Sequence, residues 1–262
     1  MAEPDVRRHI PHIEVEGLTM AYGDFVIQRD IEFSVDRGDV FAIMGGSGSG
    51  KSTLLKHMIG LKAPAWGDVC YGGKSFWTAS EEERRALRRG FGVSFQRGAL
   101  WSSMTLVENV ALPIRQFTDL AEAEIAEVAA LKLALVGLSG FEDYYPNEIS
   151  GGMQKRAGLA RAIALDPEIL FFDEPSAGLD PISARLLDEL ILELRDSLGA
   201  TVVMVTHELA SIFAITNNSV FLDSQSKTML ATGDPKELRD HGPARVRRFL
   251  TRGAIDTAEP VA

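Results

Sequence analysis

The sequence predicts an α/β protein in which apolar strands and helices alternate around a parallel sheet. Three observations carry this. Continuous apolar runs at residues 40–44 (VFAIM), 169–172 (ILFF) and 201–206 (TVVMVT) read as strands buried on both faces. Segments with helical spacing lie between them, the arrangement of a layered α/β chain. A helix-only stretch between about 97 and 165 interrupts that rhythm and reads as an inserted helical subdomain, while the alternating early segments give a β-rich flank.

In chain order, residues 1–12 form a polar lead-in. Residues 13–15 and 31–35 alternate as short strands, with turn residues Tyr22-Gly23-Asp24 between them. The run at 40–44 is bounded by Gly38 and Gly45, and helical spacing of Leu54, Leu55, Met58 and Ile59 follows it. Residues 67–71 form a small β-like patch, 81–89 (EEERRALRR) a charged helix and 92–95 (GVSF) a short strand. Residues 104–137 are helix-rich and end at Gly137. A polar, aromatic loop at 143–147 leads to SGGMQKRAGLARAIAL, a helix opened by Ser-Gly-Gly. Beyond the strand at 169–172, residues 182–198 form a long amphipathic helix, 208–215 a shorter one, and 219–222 and 228–232 late strands. The tail after Arg252 is polar and expected to fray.

The chain has 262 residues, enough for one large domain or two small ones. Its charged and hydrophobic fractions, 24% and 45%, exclude whole-chain disorder. The net charge of −10 argues against a nucleic-acid partner. A single cysteine, Cys70, allows no internal disulfide and fits a reducing compartment. The opening residues lack the apolar stretch of a secretory signal, and the longest uncharged segment, 209–222, contains Thr216, Asn217, Asn218 and Ser219. Nothing here is expected to span a bilayer.

Glycine stands at 24 of 262 residues, above ordinary usage, and part of the excess is concentrated. Residues 45–52 read GGSGSGKS, fitting G-x-x-x-x-G-K-[ST] between a buried strand and an amphipathic helix. In such a loop the amides around Gly45, Gly46, Ser47, Gly48, Ser49, Gly50 and Thr53 wrap phosphate oxygens without Cβ atoms in the way. The helix N-terminus adds its dipole. Lys51 reaches β- and γ-phosphates, and the Ser52 hydroxyl is a Mg²⁺ ligand. The strand at 169–172 then ends in two carboxylates. Asp173 sits where such a protein needs an acid for Mg²⁺, and Glu174, one step further, is placed to polarise an attacking water.

Between the two lies ISGGMQ, residues 149–154. Taken alone, Ser150, Gly151 and Gly152 are an ordinary helix cap that offers a hydroxyl and free amides to an anion. The order of loop, Ser-Gly-Gly helix and acidic strand resembles that of ATP-binding cassette (ABC) ATPases, P-loop NTPases with a RecA-like core, over about residues 13–240. Met153 replaces the glutamine usual at the fifth signature position, with Gln154 next. The resemblance implies roles that the residues alone do not. Tyr22 is the aromatic that stacks on adenine. Gln96 is a ligand of Mg²⁺ and water and a link to the membrane subunit. Asp180 belongs to the loop that reaches across a dimer, and His207 is the switch histidine at the γ-phosphate. His9, His12, His57 and His241 fit no element and read as surface or packing residues.

The resemblance further implies a homodimer in which two ATP molecules are sandwiched, each between the P-loop of one copy and Ser150 and Gly152 of the other. Glu174 activates water, and a membrane permease docks on the helical insert, where Leu100, Trp101 and Met104 are candidates to line the groove. Residues 241–262 form a C-terminal extension. Within ABC proteins, the segments around residues 44–61 and 149–181 and the ending ARVRRFL (244–250) resemble the ATPases of Mla/Mce-type lipid transport systems. That implies phospholipid movement between bacterial inner and outer membranes, work at the cytoplasmic face of the inner membrane, and a permease, an Mce-domain substrate-binding protein and a STAS-domain subunit as partners. Three other readings stand beside it: a cassette for another substrate, a soluble ABC ATPase without a permease, and an unrelated P-loop kinase.

Overall fold

The computed structural model describes residues 10–96 and 98–253; His9, most of the lead-in, Arg97 and the tail from 254 lie outside them. Two sheets organise the described chain. β1 (Ile13–Tyr22), β2 (Phe25–Val35), β4 (Trp66–Tyr71) and β5 (Lys74–Ser75) form an antiparallel sheet in the order β2-β1-β4-β5. The larger sheet contains β3 (Val40–Gly45), β6 (Phe91–Ser94), β7 (Ile169–Asp173), β8 (Thr201–Val205), β9 (Asn218–Asp223) and β10 (Thr228–Thr232). Its order is β10-β9-β3-β8-β7-β6, parallel except for β10 at one edge.

Alternate residues of the central strands feed different cores, which is why those strands read as unbroken apolar runs. Phe171 and Val203 join Phe41 and Ile43 against helix α1 (Lys51–Met58) and the antiparallel sheet. Leu170, Phe172, Val202 and Met204 face the opposite core, built with α3 (Leu106–Phe117), α4 (Glu122–Leu135), α5 (Gly151–Ala162) and α6 (Pro181–Leu198). A third cluster joins Ala42, Met44 and Phe221 to α7 (Leu209–Ile215), α8 (Pro235–His241) and α9 (Ala244–Leu250). The ARVRRFL segment is α9: Val246 and Leu250 are buried, Phe249 meets Phe221 edge-on, and Arg245 donates to Asp223.

The charged helix at 81–89 is α2 (Glu81–Arg89), opened by a reciprocal Ser80–Glu83 capping box. Two early strands extend beyond the sequence expectation. Register shifts in β1 between Val15 and Leu18 and again before Ala21 break the two-residue alternation, so the pattern fades although pairing continues to Tyr22. β5 and α8 were not anticipated. α8 nevertheless carries a start signal, Asp234 capping the amide of Lys236 with Pro235 in the first turn.

Candidate functional site

The site is built where β3, β7 and β8 end, since parallel neighbours bring their C-terminal loops to one edge. Residues 45–52 run from β3 into α1. Gly45 has φ +148°, and a Cβ there would lie 2.4 Å from the Leu222 carbonyl and 2.5 Å from Ser49 Oγ. Gly50 caps α1 in the left-handed region at φ 91°. Gly46, Ser47 and Gly48 stand exposed on the crest, Ser49 is buried, and Lys51, Ser52 and Thr53 are half-buried at the head of α1. Lys51 Nζ donates to the Gly45 and Gly46 carbonyls at 3.0 and 3.1 Å. Burial holds Lys51 below the ordinary lysine range, while Glu174 and Asp173 act in the opposite direction.

Three more side chains join this loop. Ser52 Oγ donates to Asp173 Oδ1 at 3.0 Å, linking the head of α1 to the end of β7. Glu174 follows at φ +52°, a strained conformation for a residue with a side chain, fixed by its amide donating to the Val205 carbonyl. Its Oε1 lies 2.7 Å from His207 Nδ1, whereas Oε2 is buried without a partner. Glu174 is 12% exposed and His207 55%.

Among the described residues, no hydrogen bond joins Tyr22, Gln96, Ser150, Gly151, Gly152 or Asp180 to this cluster. Tyr22 ends β1 and is 53% exposed. Gln96 is exposed two residues beyond β6, whose Ser94 pairs with Phe172 in register; Glu174 stands the same two residues beyond that pair. Ser150 caps α5 by accepting from the Met153 amide. Asp180 caps α6, accepting from the Ile182 and Ser183 amides and the Ser183 hydroxyl, which holds its carboxyl below the usual range. Leu100 packs on the core, and Trp101 is 57% exposed with its backbone bound at both N–H and C=O by the buried Asn109 side chain.

Several supporting residues were not legible in the sequence. Gln28, fully buried in β2, donates to the Ser49 carbonyl of the glycine-rich loop and to the backbone carbonyl of Asp223. Lys155 of α5 donates to the Pro175 and Ala177 carbonyls, both at 2.6 Å, in the loop after Glu174. Arg161 of α5 holds the Gly98 and Ala99 carbonyls just beyond Gln96. One helix therefore fastens both loops. These contacts end on backbone oxygens, which carry no signature in sequence.

The cradle and donor set fit a nucleoside triphosphate with Mg²⁺. The described residues contain no cluster of three or more His, Cys, Asp or Glu able to hold a metal alone. One carboxylate beside a hydroxyl matches a cation that completes its shell with phosphate oxygens and water. No helix among the described residues is long and apolar enough to cross a membrane.

A profile of the ABC transporter family matches residues 28–177, more than half of the chain. The chain is 42% identical over 238 residues to the probable ribonucleotide transport ATP-binding protein mkl of Mycobacterium tuberculosis, covering 91% of this chain but 66% of that one. It is 40% identical to the intermembrane phospholipid transport system ATP-binding protein MlaF of Haemophilus influenzae, covering 91% of this chain and 89% of that one. Among solved structures, cbiO1 of Clostridium perfringens superposes with a TM-score of 0.80 at 27% identity, covering 92% of this chain and 96% of that one. A dimeric bacterial ABC transporter cassette gives 0.77 at 29% identity, covering 85% and 98%. The family profile and the relatives of about 40% identity show that the chain belongs to the ABC transporter family, as an ATP-binding cassette.

Proposed function

We propose that this chain is the ATP-hydrolysing subunit of a membrane transporter, working as a homodimer that closes around two ATP molecules. The observation that carries the proposal is the convergence of Lys51, Ser52, Asp173, Glu174 and His207 at one edge of the sheet. The amides of residues 45–53 and Lys51 hold the triphosphate, and Tyr22 stacks on adenine. Ser52, Asp173 and Gln96 hold Mg²⁺, which when bound neutralises phosphate charge. Ser150, Gly151 and Gly152 at the head of α5 serve the γ-phosphate on a second copy, with Asp180 at the dimer seam. Glu174, oriented by the contact between its Oε1 and His207, is the carboxylate that accepts a proton from the attacking water. Loss of the γ-phosphate removes contacts from both copies and opens the dimer.

The transported cargo is phospholipid, moved between inner and outer membranes, with the chain held on the cytoplasmic face of the inner membrane by a permease. An Mce-domain protein and a STAS-domain subunit complete the assembly. Residues 13–240 form the cassette, with the helical subdomain at about 97–165, followed by the extension 241–262. The relatives' names differ on cargo; the lipid reading is supported by the intermembrane phospholipid transport name of the Haemophilus influenzae relative, 40% identical over 238 residues, together with the resemblance carried by residues 44–61, 149–181 and 244–250. The test is to purify the chain with its bound partners and identify them and any small molecules by mass spectrometry. A permease, an Mce-domain protein and co-purifying phospholipid support the proposal. A permease complex carrying ribonucleotide overturns the cargo, and association only with ribosomes or DNA overturns transport.

A further inference from the structure

Tyr22 and the phosphate-binding helix are joined by a residue to which no role has been given. Lys62 Nζ lies 2.8 Å from the centroid of the Tyr22 ring and donates at 2.8 Å to the carbonyl of Ala21, immediately before it. The Lys62 backbone is fixed as well. Its amide donates to the Lys56 carbonyl, and its own carbonyl lies 2.5 Å from Nδ1 of His57. His57 is fully buried in α1, the helix that begins at Lys51. A continuous chain of contacts thus runs from the phosphate loop along α1, through His57 and Lys62, to the exposed aromatic at the end of β1.

Two consequences follow from elementary chemistry. An exposed tyrosine has rotamer freedom to lose when a base stacks on it, and a cation fixed against one face removes part of that freedom beforehand. The ammonium also occupies one face of the ring's π-system, which leaves the opposite face for a base. We propose that Lys62 is a positioning residue for nucleotide recognition: it holds the Tyr22 ring as a preformed platform for a purine base, at a distance from the phosphate loop set by α1. The inference rests on the reading of Tyr22 as the base-stacking residue.

The test separates base recognition from phosphate recognition. Binding of ATP, ADP and inorganic tripolyphosphate to the full chain is measured calorimetrically for wild type, Lys62→Met, Lys62→Arg and Tyr22→Ala. Lys62→Met keeps the aliphatic stem and loses charge and donor. It is expected to weaken ATP and ADP about three- to tenfold while tripolyphosphate binds as in wild type. Lys62→Arg, which keeps a cation and donors, is expected to restore nucleotide affinity. Equal loss of nucleotide and tripolyphosphate in Lys62→Met would show a merely structural residue and overturn the inference. So would unchanged nucleotide affinity in Lys62→Met when Tyr22→Ala is weakened, and in that case the base-stacking reading survives. If Tyr22→Ala itself binds nucleotide normally, the platform reading falls and the inference with it.

Discussion

Glu174 Oε1 and His207 Nδ1 lie 2.7 Å apart, joining the loops that follow the neighbouring parallel strands β7 and β8. The imidazole faces a carboxylate on a strained backbone, whose second oxygen is buried without a partner. The imidazole fixes the orientation of a carboxylate whose basicity the proposed hydrolysis uses. Glu174→Gln keeps the shape and removes the basicity. ATP hydrolysis should fall about 10²–10⁴-fold while ATP still binds, so that the protein persists as a closed dimer in gel filtration with ATP. Near-normal turnover would remove Glu174 from the base role.

The Ser52–Asp173 hydrogen bond predicts a separate effect on cation dependence. Asp173→Asn leaves the glycine-rich loop intact but takes away the carboxylate to which Ser52 bonds at the head of α1. The Mg²⁺ concentration that half-saturates ATPase activity should rise about 10–100-fold. ATP binding measured in EDTA should change little. An unaltered Mg²⁺ midpoint would exclude Asp173 from the cation site.

Gly45 and Gly46 are adjacent, yet the structure distinguishes them. A Cβ on Gly45 meets the Leu222 carbonyl and Ser49 Oγ inside van der Waals contact at φ +148°, whereas one on Gly46 meets nothing within 4 Å. Gly45→Ala should cost about 2–4 kcal/mol, and Gly46→Ala less than about 1 kcal/mol, in urea unfolding. Equal costs would contradict the close approach of β9 to the loop.

The contrast between Lys51 and Lys155 explains what was legible in the sequence. Lys51 stands in a fixed spacing of glycines, and Asp173 ends an apolar run, so both announce themselves. The runs at β7 and β8 were equally plain because alternate residues such as Phe171 and Phe172 enter two different cores. Lys155, Gln28 and Lys62 act on carbonyls of Ala177, Ser49 and Ala21, distant in sequence and of any residue type. Long-range contacts to backbone leave no pattern in the chain. The full length of β1 was hidden for a different reason, since its register shifts erased the alternation by which strands are read.

Asp188 gives a pH-dependent prediction. It lies 5% exposed in α6, with Oδ1 unpartnered, and burial raises its carboxyl above the ordinary range, while a Ser211 hydrogen bond acts against that rise. An acid whose folded pKa exceeds its unfolded value binds protons more readily when folded, so stability falls as pH rises from the unfolded pKa through the folded one. Asp188→Asn removes that ionisation. It should raise the melting temperature by about 2–4 °C at pH 7, with a smaller advantage at pH 4. An advantage that grows as pH falls would reverse the sign.

Lys155 predicts a link between the Ser150 helix and the hydrolytic loop. Its two hydrogen bonds, to the Pro175 and Ala177 carbonyls, fix the segment that begins one residue after Glu174, and none reaches residues 45–52. Burial lowers the Lys155 pKa, and the nearby Glu174 charge opposes that shift, so the two groups sense each other electrostatically. Lys155→Met should therefore lower kcat about tenfold and leave the KM for ATP unchanged, and Lys155→Arg should recover most of the rate. In the proposed dimer each α5 would present Ser150 to the other copy's nucleotide, so the same substitution should also flatten the dependence of rate on ATP concentration, with the Hill coefficient moving toward one. A raised KM at unchanged kcat would place Lys155 in nucleotide binding, and full activity with unchanged cooperativity would show that the two bonds serve only to pack the loop.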